Sequence, residues 1–206
     1  MKHKHRMILP LAMIASLTLA SSASAALAIV NGNFETTAGY TGVNSEWRTG
    51  LATGWSGPST ASVYRYYTND GSIIANLEWT SVSTGTDPIQ PLYQDIGTLD
   101  GRSNITLTFD YVTFGAGPLN VAIYNGASFD TVLGTATYAA GDFGSKSITV
   151  NNVAGATAIR IGFWQGDVLD KSAGLDNVAV SVTAIPEPSA ALLGGLGLLA
   201  LLRRRR

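Results

Sequence analysis

The stretch NITLTFDY, residues 104–111, decides the fold class. Ile105, Leu107 and Phe109 alternate with Thr106, Thr108 and Asp110. Side chains of an extended chain point to opposite faces in turn, so this octapeptide predicts a strand with one apolar and one polar face. The same period recurs on either side of it. Leu119, Val121 and Ile123 form one apolar set, and Ile159, Ile161 and Phe163 form another. Residues 62–67, 72–79, 92–96, 131–138 and 145–150 are further strand candidates, and residues 29–35 read as the first strand. In the last candidate, residues 174–183, strict alternation sets Leu175, Asn177, Ala179 and Ser181 against Asp176, Val178, Val180 and Val182. The valine face is the expected core side. Asn125-Gly126 and Asp70-Gly71 are turn signals between strands. No long 3.6-residue pattern occurs outside the two ends. Half-buried strands need a second sheet over their apolar face, so an all-β antiparallel sandwich is expected over residues 29–184.

Charge and composition limit what this body does. The chain has a formal charge of −1, but three basic residues crowd the first six positions and four end the chain. Between positions 29 and 185 there are six basic and thirteen acidic residues, a net charge of −7. Such a body does not neutralise phosphates, so nucleic acid is excluded as a partner. Cations, neutral glycans and basic partners remain. Cysteine is absent, so stability rests on packing rather than disulfides.

Both ends read as addresses. Residues 1–28 have the layout of a signal peptide: basic MKHKHR, then an apolar run to Ala20, then small residues. Ala23-Ser24-Ala25 and Ala26-Leu27-Ala28 both satisfy the small-x-small rule of signal peptidase, so cleavage is expected after Ala28 or Ala25. His3 and His5 leave with that segment. The mature chain then has no histidine and no cysteine, which excludes Ser-His-Asp triads, Cys-His pairs and the usual zinc sites. The other end, residues 185–206, reads Pro186-Glu187-Pro188, then SAALLGGLGLLALL over 189–202, then Arg203, Arg204, Arg205 and Arg206. As a helix, 189–202 reaches about 21 Å, against the roughly 20 residues of a standard span. Arg203 extends it by snorkelling, and the arginine cluster orients it with the C-terminus cytoplasmic and the body outside. The alternative is a terminal docking helix.

This tail resembles the PEP-CTERM sorting signal of Gram-negative bacteria in all three parts: the Pro-Glu-Pro, the short apolar span and the terminal arginines. The resemblance implies export, transient inner-membrane anchoring through 189–202, recognition near Pro186, Glu187 and Pro188 by an exosortase-type membrane protease, and transfer to the cell surface or extracellular matrix.

The body resembles the galactose-binding-like jelly rolls of carbohydrate-binding modules. Asn31-Gly-Asn-Phe-Glu35 is similar to their first strand and Gly174-Leu-Asp-Asn-Val178 to their last. The resemblance implies a jelly-roll-like sandwich whose first and last strands are neighbours. It also implies one structural calcium held by Glu35 and Asp176, with a backbone carbonyl near Asn31 or Asn33. Oxygen ligands suit calcium, although two ordinary edge carboxylates remain the alternative.

Candidate ligand-binding residues are aromatic, because tryptophan and tyrosine stack on the apolar faces of sugars. Tyr64 and Tyr66 share one strand face, and Trp47 and Trp55 lie in polar loops where exposure is expected. Core filling is the alternative for each ring. No phosphate-binding loop, HExxH or GxSxG occurs, and scattered carboxylates alone do not make a glycosidase. The expected function is therefore an exported, noncatalytic binding module with polysaccharide as ligand. The alternatives are a structural or adhesive matrix component that binds proteins or itself and, behind it, a glycoside-active enzyme.

Overall fold

The computed structural model describes residues 27–43, 47–57, 64–69, 71–78, 91–112, 117–165, 172–186 and 188–204. The expected alternation becomes two antiparallel sheets facing each other. One contains β1 (Thr41–Val43), β2 (Trp47–Thr49), β3 (Tyr64–Asn69), β4 (Ser72–Glu78), β6 (Ser103–Val112), β9 (Gly144–Val153) and β11 (Ser172–Ala184), in the order β1-β2-β3-β4-β11-β6-β9. The other is four-stranded, with β5 (Leu92–Thr98), β7 (Leu119–Asn125), β8 (Val132–Tyr138) and β10 (Ala158–Gln165) in the order β5-β10-β7-β8. The body is a jelly-roll-like antiparallel β-sandwich. A single helix, α1 (Pro188–Arg203), follows it.

The octapeptide 104–111 forms the centre of β6, and Ile105, Leu107 and Phe109 are shut into the core. Leu119, Val121 and Ile123 on β7 and Ile159, Ile161 and Phe163 on β10 face them from the other sheet. Aromatic rings tie the layers together. Phe109 meets Phe163 edge-on at 5.2 Å, Phe163 meets Trp55 at 6.2 Å, and Trp55 meets Phe34 at 5.2 Å. Such pairs add to the area they bury, because edge and face carry opposite partial charges.

Two expectations change. The first concerns residues 29–35, which do not form a strand. The chain bends through residues 31–34, with Asn31 at φ 51° and Phe34 at φ 57°. Asparagine tolerates this left-handed region; phenylalanine does so at a cost. That cost is offset here because the turn sends the Phe34 ring into the core with no exposed surface. Asn31 holds the turn, its Oδ1 accepting the Thr36 N–H at 2.9 Å and its carbonyl accepting the Phe34 N–H at 3.2 Å.

The second concerns the phase of β11. Strict alternation separates Leu175 from Val178, yet both are in the core. Asn177, at φ 49°, is the extra residue of a β-bulge, and the register with β6 slips between Asp176 and Ala179. A bulge adds one residue on one strand and so inverts the face of everything after it. Leu175 points inward before the bulge, and Val178 does so after it, followed by partly buried Val180 and Val182.

The opening segment docks onto this bulge. The Val178 N–H donates to the Gly32 carbonyl at 2.9 Å. A Cβ on Gly32 would lie 2.0 Å from the Val178 carbonyl oxygen. Gly32→Ala should therefore destabilise the fold by about 1–3 kcal/mol or more, because backbone must move to admit the methyl. Urea unfolding measures this, and a change within about 0.5 kcal/mol would show that the contact is slack.

Candidate functional site

The face of the seven-stranded sheet turned away from the core carries the candidate site. Register puts Arg65, Asn76, Gly174 and Val112 in one row across β3, β4, β11 and β6. A neighbouring row contains Trp47, Tyr67 and Ile74. On β4, Ala75 and Leu77 go to the core, so Ile74 and Asn76 lie on the other face. That face is nevertheless closed to solvent here: Ile74 is 2% exposed and Asn76 is 1% exposed. Ser172, Gly174 and Asp176 on β11 are buried as well.

Asn76 is the anomaly of this face. Its Nδ2 and Oδ1 are both buried, and neither has a hydrogen-bond partner. Nearly all buried polar side chains find a partner, and leaving one unmade costs about 1–3 kcal/mol. This amide, at the centre of a sheet, satisfies neither its donors nor its acceptor.

The carboxylates expected to come together do so. Glu35, from the opening segment, and Asp176, at the β11 bulge, both accept from the Ser72 hydroxyl, each at 3.2 Å. Glu35 Oε1 also takes the Ile73 N–H at 2.7 Å, and Asp176 Oδ1 takes the Asn177 N–H at 2.7 Å. Asp110 joins from β6, where its Oδ2 accepts from Asn177 Nδ2 at 2.9 Å and its Oδ1 from the Ser145 hydroxyl. Burial pushes the Asp176 carboxyl above the usual range. The Asn177 and Ser72 donors pull it down, and the charges of Glu35 and Asp110 push it up again. The Asn31 carbonyl is occupied differently from expectation. It accepts from Trp55 Nε1 at 3.1 Å and from the Phe34 N–H.

Trp55 requires correction as a ligand-binding candidate. It is 4% exposed and packed between Phe34 and Phe163, because its polar loop folds back onto the core. Polar neighbours suggest exposure in sequence, but the single polar atom of the indole finds its partner in Asn31. Trp47, Tyr64 and Tyr66 are placed by backbone register: Trp47 opposite Tyr67, Tyr64 opposite Leu77 and Tyr66 opposite Ala75.

Sequence reading missed Asn76 and a second polar cluster on the four-stranded sheet. Arg160, 7% exposed, donates to both oxygens of Asp95, at 2.7 and 2.9 Å. Its guanidinium lies 4.2 Å from the centre of the Tyr93 ring and 4.8 Å from that of Phe129. This cation is neutralised and stacked, so it fills the outside of the sheet rather than offering a free charge. The one available sequence signal was Arg160 standing alone in an apolar strand.

At the C-terminal end, Pro186 is exposed and Pro188 begins α1, where its fixed φ and missing N–H suit the first helical turn. Arg203 lies in the last turn of α1 and Arg204 just beyond it, both exposed. Leu196, Leu198, Leu199, Leu201 and Leu202 are also exposed. Among the described residues, no helix is long and apolar enough to cross a membrane; α1 has sixteen residues. Residues 1–26, Glu187, Arg205 and Arg206 lie outside the described residues.

Several solved structures are similar to this chain. A cyclase from Fischerella sp. TAU, in complex with 4-(1H-indol-3-yl)butan-2-one, is 17% identical with a TM-score of 0.59, covering 80% of this chain and 99% of that one. A CBM4 carbohydrate-binding module is 22% identical with a TM-score of 0.49, covering 76% and 100%. The module TmCBM61, in complex with β-1,4-galactotriose, is 14% identical with a TM-score of 0.43, covering 75% and 97%. At these identities the likeness is one of fold. No curated protein matches the chain. The tail is more specific: residues 184–206 match the model of the PEP-CTERM protein-sorting motif, and the chain carries that motif at its C-terminal end.

Proposed function

We propose that this protein is exported, held briefly at the inner membrane by α1, processed near Pro186–Pro188 by an exosortase-type protease, and released to the outer surface or matrix as a noncatalytic polysaccharide-binding module. The sorting motif at 184–206 supports the route. Sixteen helical residues reach about 24 Å, which local thinning and snorkelling of Arg203 extend. The C-terminal arginines stay cytoplasmic until processing.

The observation that carries the binding role is the Asn76 amide. It offers two donors and an acceptor, none of them used. Neighbouring hydroxyls on a sugar ring both donate and accept, so a neutral glycan has the chemistry to satisfy both atoms, which it reaches only where the cover over this face gives way. A carboxylate or phosphate would use only Nδ2, and the −7 body repels such polymers. Trp47 and Tyr67 occupy the adjacent backbone register row. Glu35 and Asp176 use their oxygens on Ser72 and backbone N–H groups, which favours support over acid–base work.

The same reading includes one structural calcium at Glu35 and Asp176. The pair is all oxygen, and among the described residues neither carboxylate is paired with a basic side chain. A divalent cation would turn their repulsion into attraction and stitch the opening segment to β11. Further oxygens would have to come from Ser72 or backbone carbonyls, because two carboxylates alone underfill a calcium shell.

Asn76→Leu should weaken binding of the full-length protein to the host's own extracellular polysaccharide at least tenfold, while raising Tm by roughly 2–8 °C as the unmade bonds disappear. Affinity electrophoresis and calorimetry read the two effects. A raised Tm with unchanged affinity sinks the binding face. Capture of host proteins without any glycan favours the adhesive-matrix alternative.

Calcium at millimolar concentration should raise the Tm of the chelator-treated protein and leave that of Asp176→Asn unchanged; equal values for the wild type with and without calcium remove the ion. In chelator the pH dependence has a definite sign. The folded carboxyl of Asp176 is raised above 3.8, so the folded state holds its proton to higher pH than the unfolded state does. Its contribution to stability therefore falls as pH rises from about 4 through the folded value, and Asp176→Asn should be the more stable protein at pH 7. A steeper loss of stability above pH 4 in the variant contradicts this.

A further inference from the structure

We propose that signal peptidase cuts after Ala25, so that the mature chain begins Ala26-Leu27-Ala28. This rests on the export reading above and selects between two small-x-small triplets that are chemically equivalent in sequence.

The second triplet belongs to the folded body. Leu27 is 7% exposed and part of the hydrophobic core. The Ala28 N–H donates to the Ile96 carbonyl at 2.9 Å, alongside β5. Two residues on, the Gln94 side chain grips Val30 from both sides. Its Oε1 accepts the Val30 N–H at 2.7 Å, and its Nε2 donates to the Val30 carbonyl at 2.9 Å. Gln94 is itself 3% exposed, so both of its amide atoms depend on this segment. Gly54 supports Val30 from below, where a Cβ would come within 2.7 Å of it. Residues 27–30 are thus laid along β5 as an integral part of the sandwich.

A cut after Ala28 would remove Leu27 from the core and strip the Ile96 carbonyl of its donor. It would also put a charged ammonium on half-buried Ile29, next to the Gln94 clamp. A cut after Ala25 removes none of these contacts, and Ala26 separates the new charge from Leu27. Once the domain has folded, the Ala28–Ile29 bond is held against β5, while a protease needs its substrate extended and free.

The test exports the full-length protein from a Gram-negative host and reads the mature N-terminus by terminal-peptide mass spectrometry. The expected first residue is Ala26. Ala28→Gln, at an exposed position, should leave that start unchanged, whereas Ala25→Gln should accumulate precursor. Leu27→Ala gives a second readout. It should lower the Tm of the mature protein by roughly 5–15 °C, since the residue is retained and buried. A start at Ile29, with the Tm indifferent to Leu27→Ala, overturns the cleavage site while leaving export intact. A precursor that keeps residues 1–25 overturns the export reading, and the cleavage site with it.

Discussion

The bulge at Asn177 is the constraint on which the rest of the structure depends. It lies in the strand that pairs with both β4 and β6. One extra residue lets β11 bury Leu175 before it and Val178 after it, so a thirteen-residue strand can serve the core along most of its length. The same kink leaves the Val178 N–H to be met by Gly32, which fixes the opening segment. It also holds Asp176 next to Glu35 and Asp110 through Ser72 and Asn177. A regular strand would turn Val178, Val180 and Val182 outward and dissolve that junction.

The two outer faces of the sandwich differ in how their polar groups are satisfied. On the four-stranded sheet, Arg160 is neutralised by Asp95 and covered by Tyr93 and Phe129, so its buried charge is complete in itself. On the seven-stranded sheet, the Asn76 amide is buried without any partner. Buried polar networks stabilise when complete and destabilise when partial. The complete cluster leaves no hydrogen-bonding capacity unused, and the Asn76 amide leaves all of its own unused. That contrast, more than the number of aromatic residues, is the basis of the proposed binding role.

Localisation and chemistry sit in different parts of this chain. The sorting motif at 184–206 is a linear signal, read by composition and order, and it needs no fold around it. The acidic body has a different task, and its −7 charge is hidden in the whole-chain value by the basic ends. At the N-terminal end the described residues begin with Leu27, which is already part of the core.

By itself the sequence determined what depends on period and local composition. Alternation in 104–111 and its counterparts set the strands, their inward residues and the two-sheet architecture, because a strand's two faces are encoded by odd and even positions. The C-terminal sorting motif was equally legible, being linear. Pairing of Glu35 with Asp176 came from a family resemblance between two short motifs far apart in the chain. Only the tertiary structure decided the rest. The phase flip at Asn177 depends on one residue adopting positive φ, which no alternation rule contains. Trp55 is buried because Asn31, twenty-four positions earlier, offers its carbonyl to the indole. Asn76 stands out only by the partners it lacks, and whether a buried amide is satisfied depends on every strand around it.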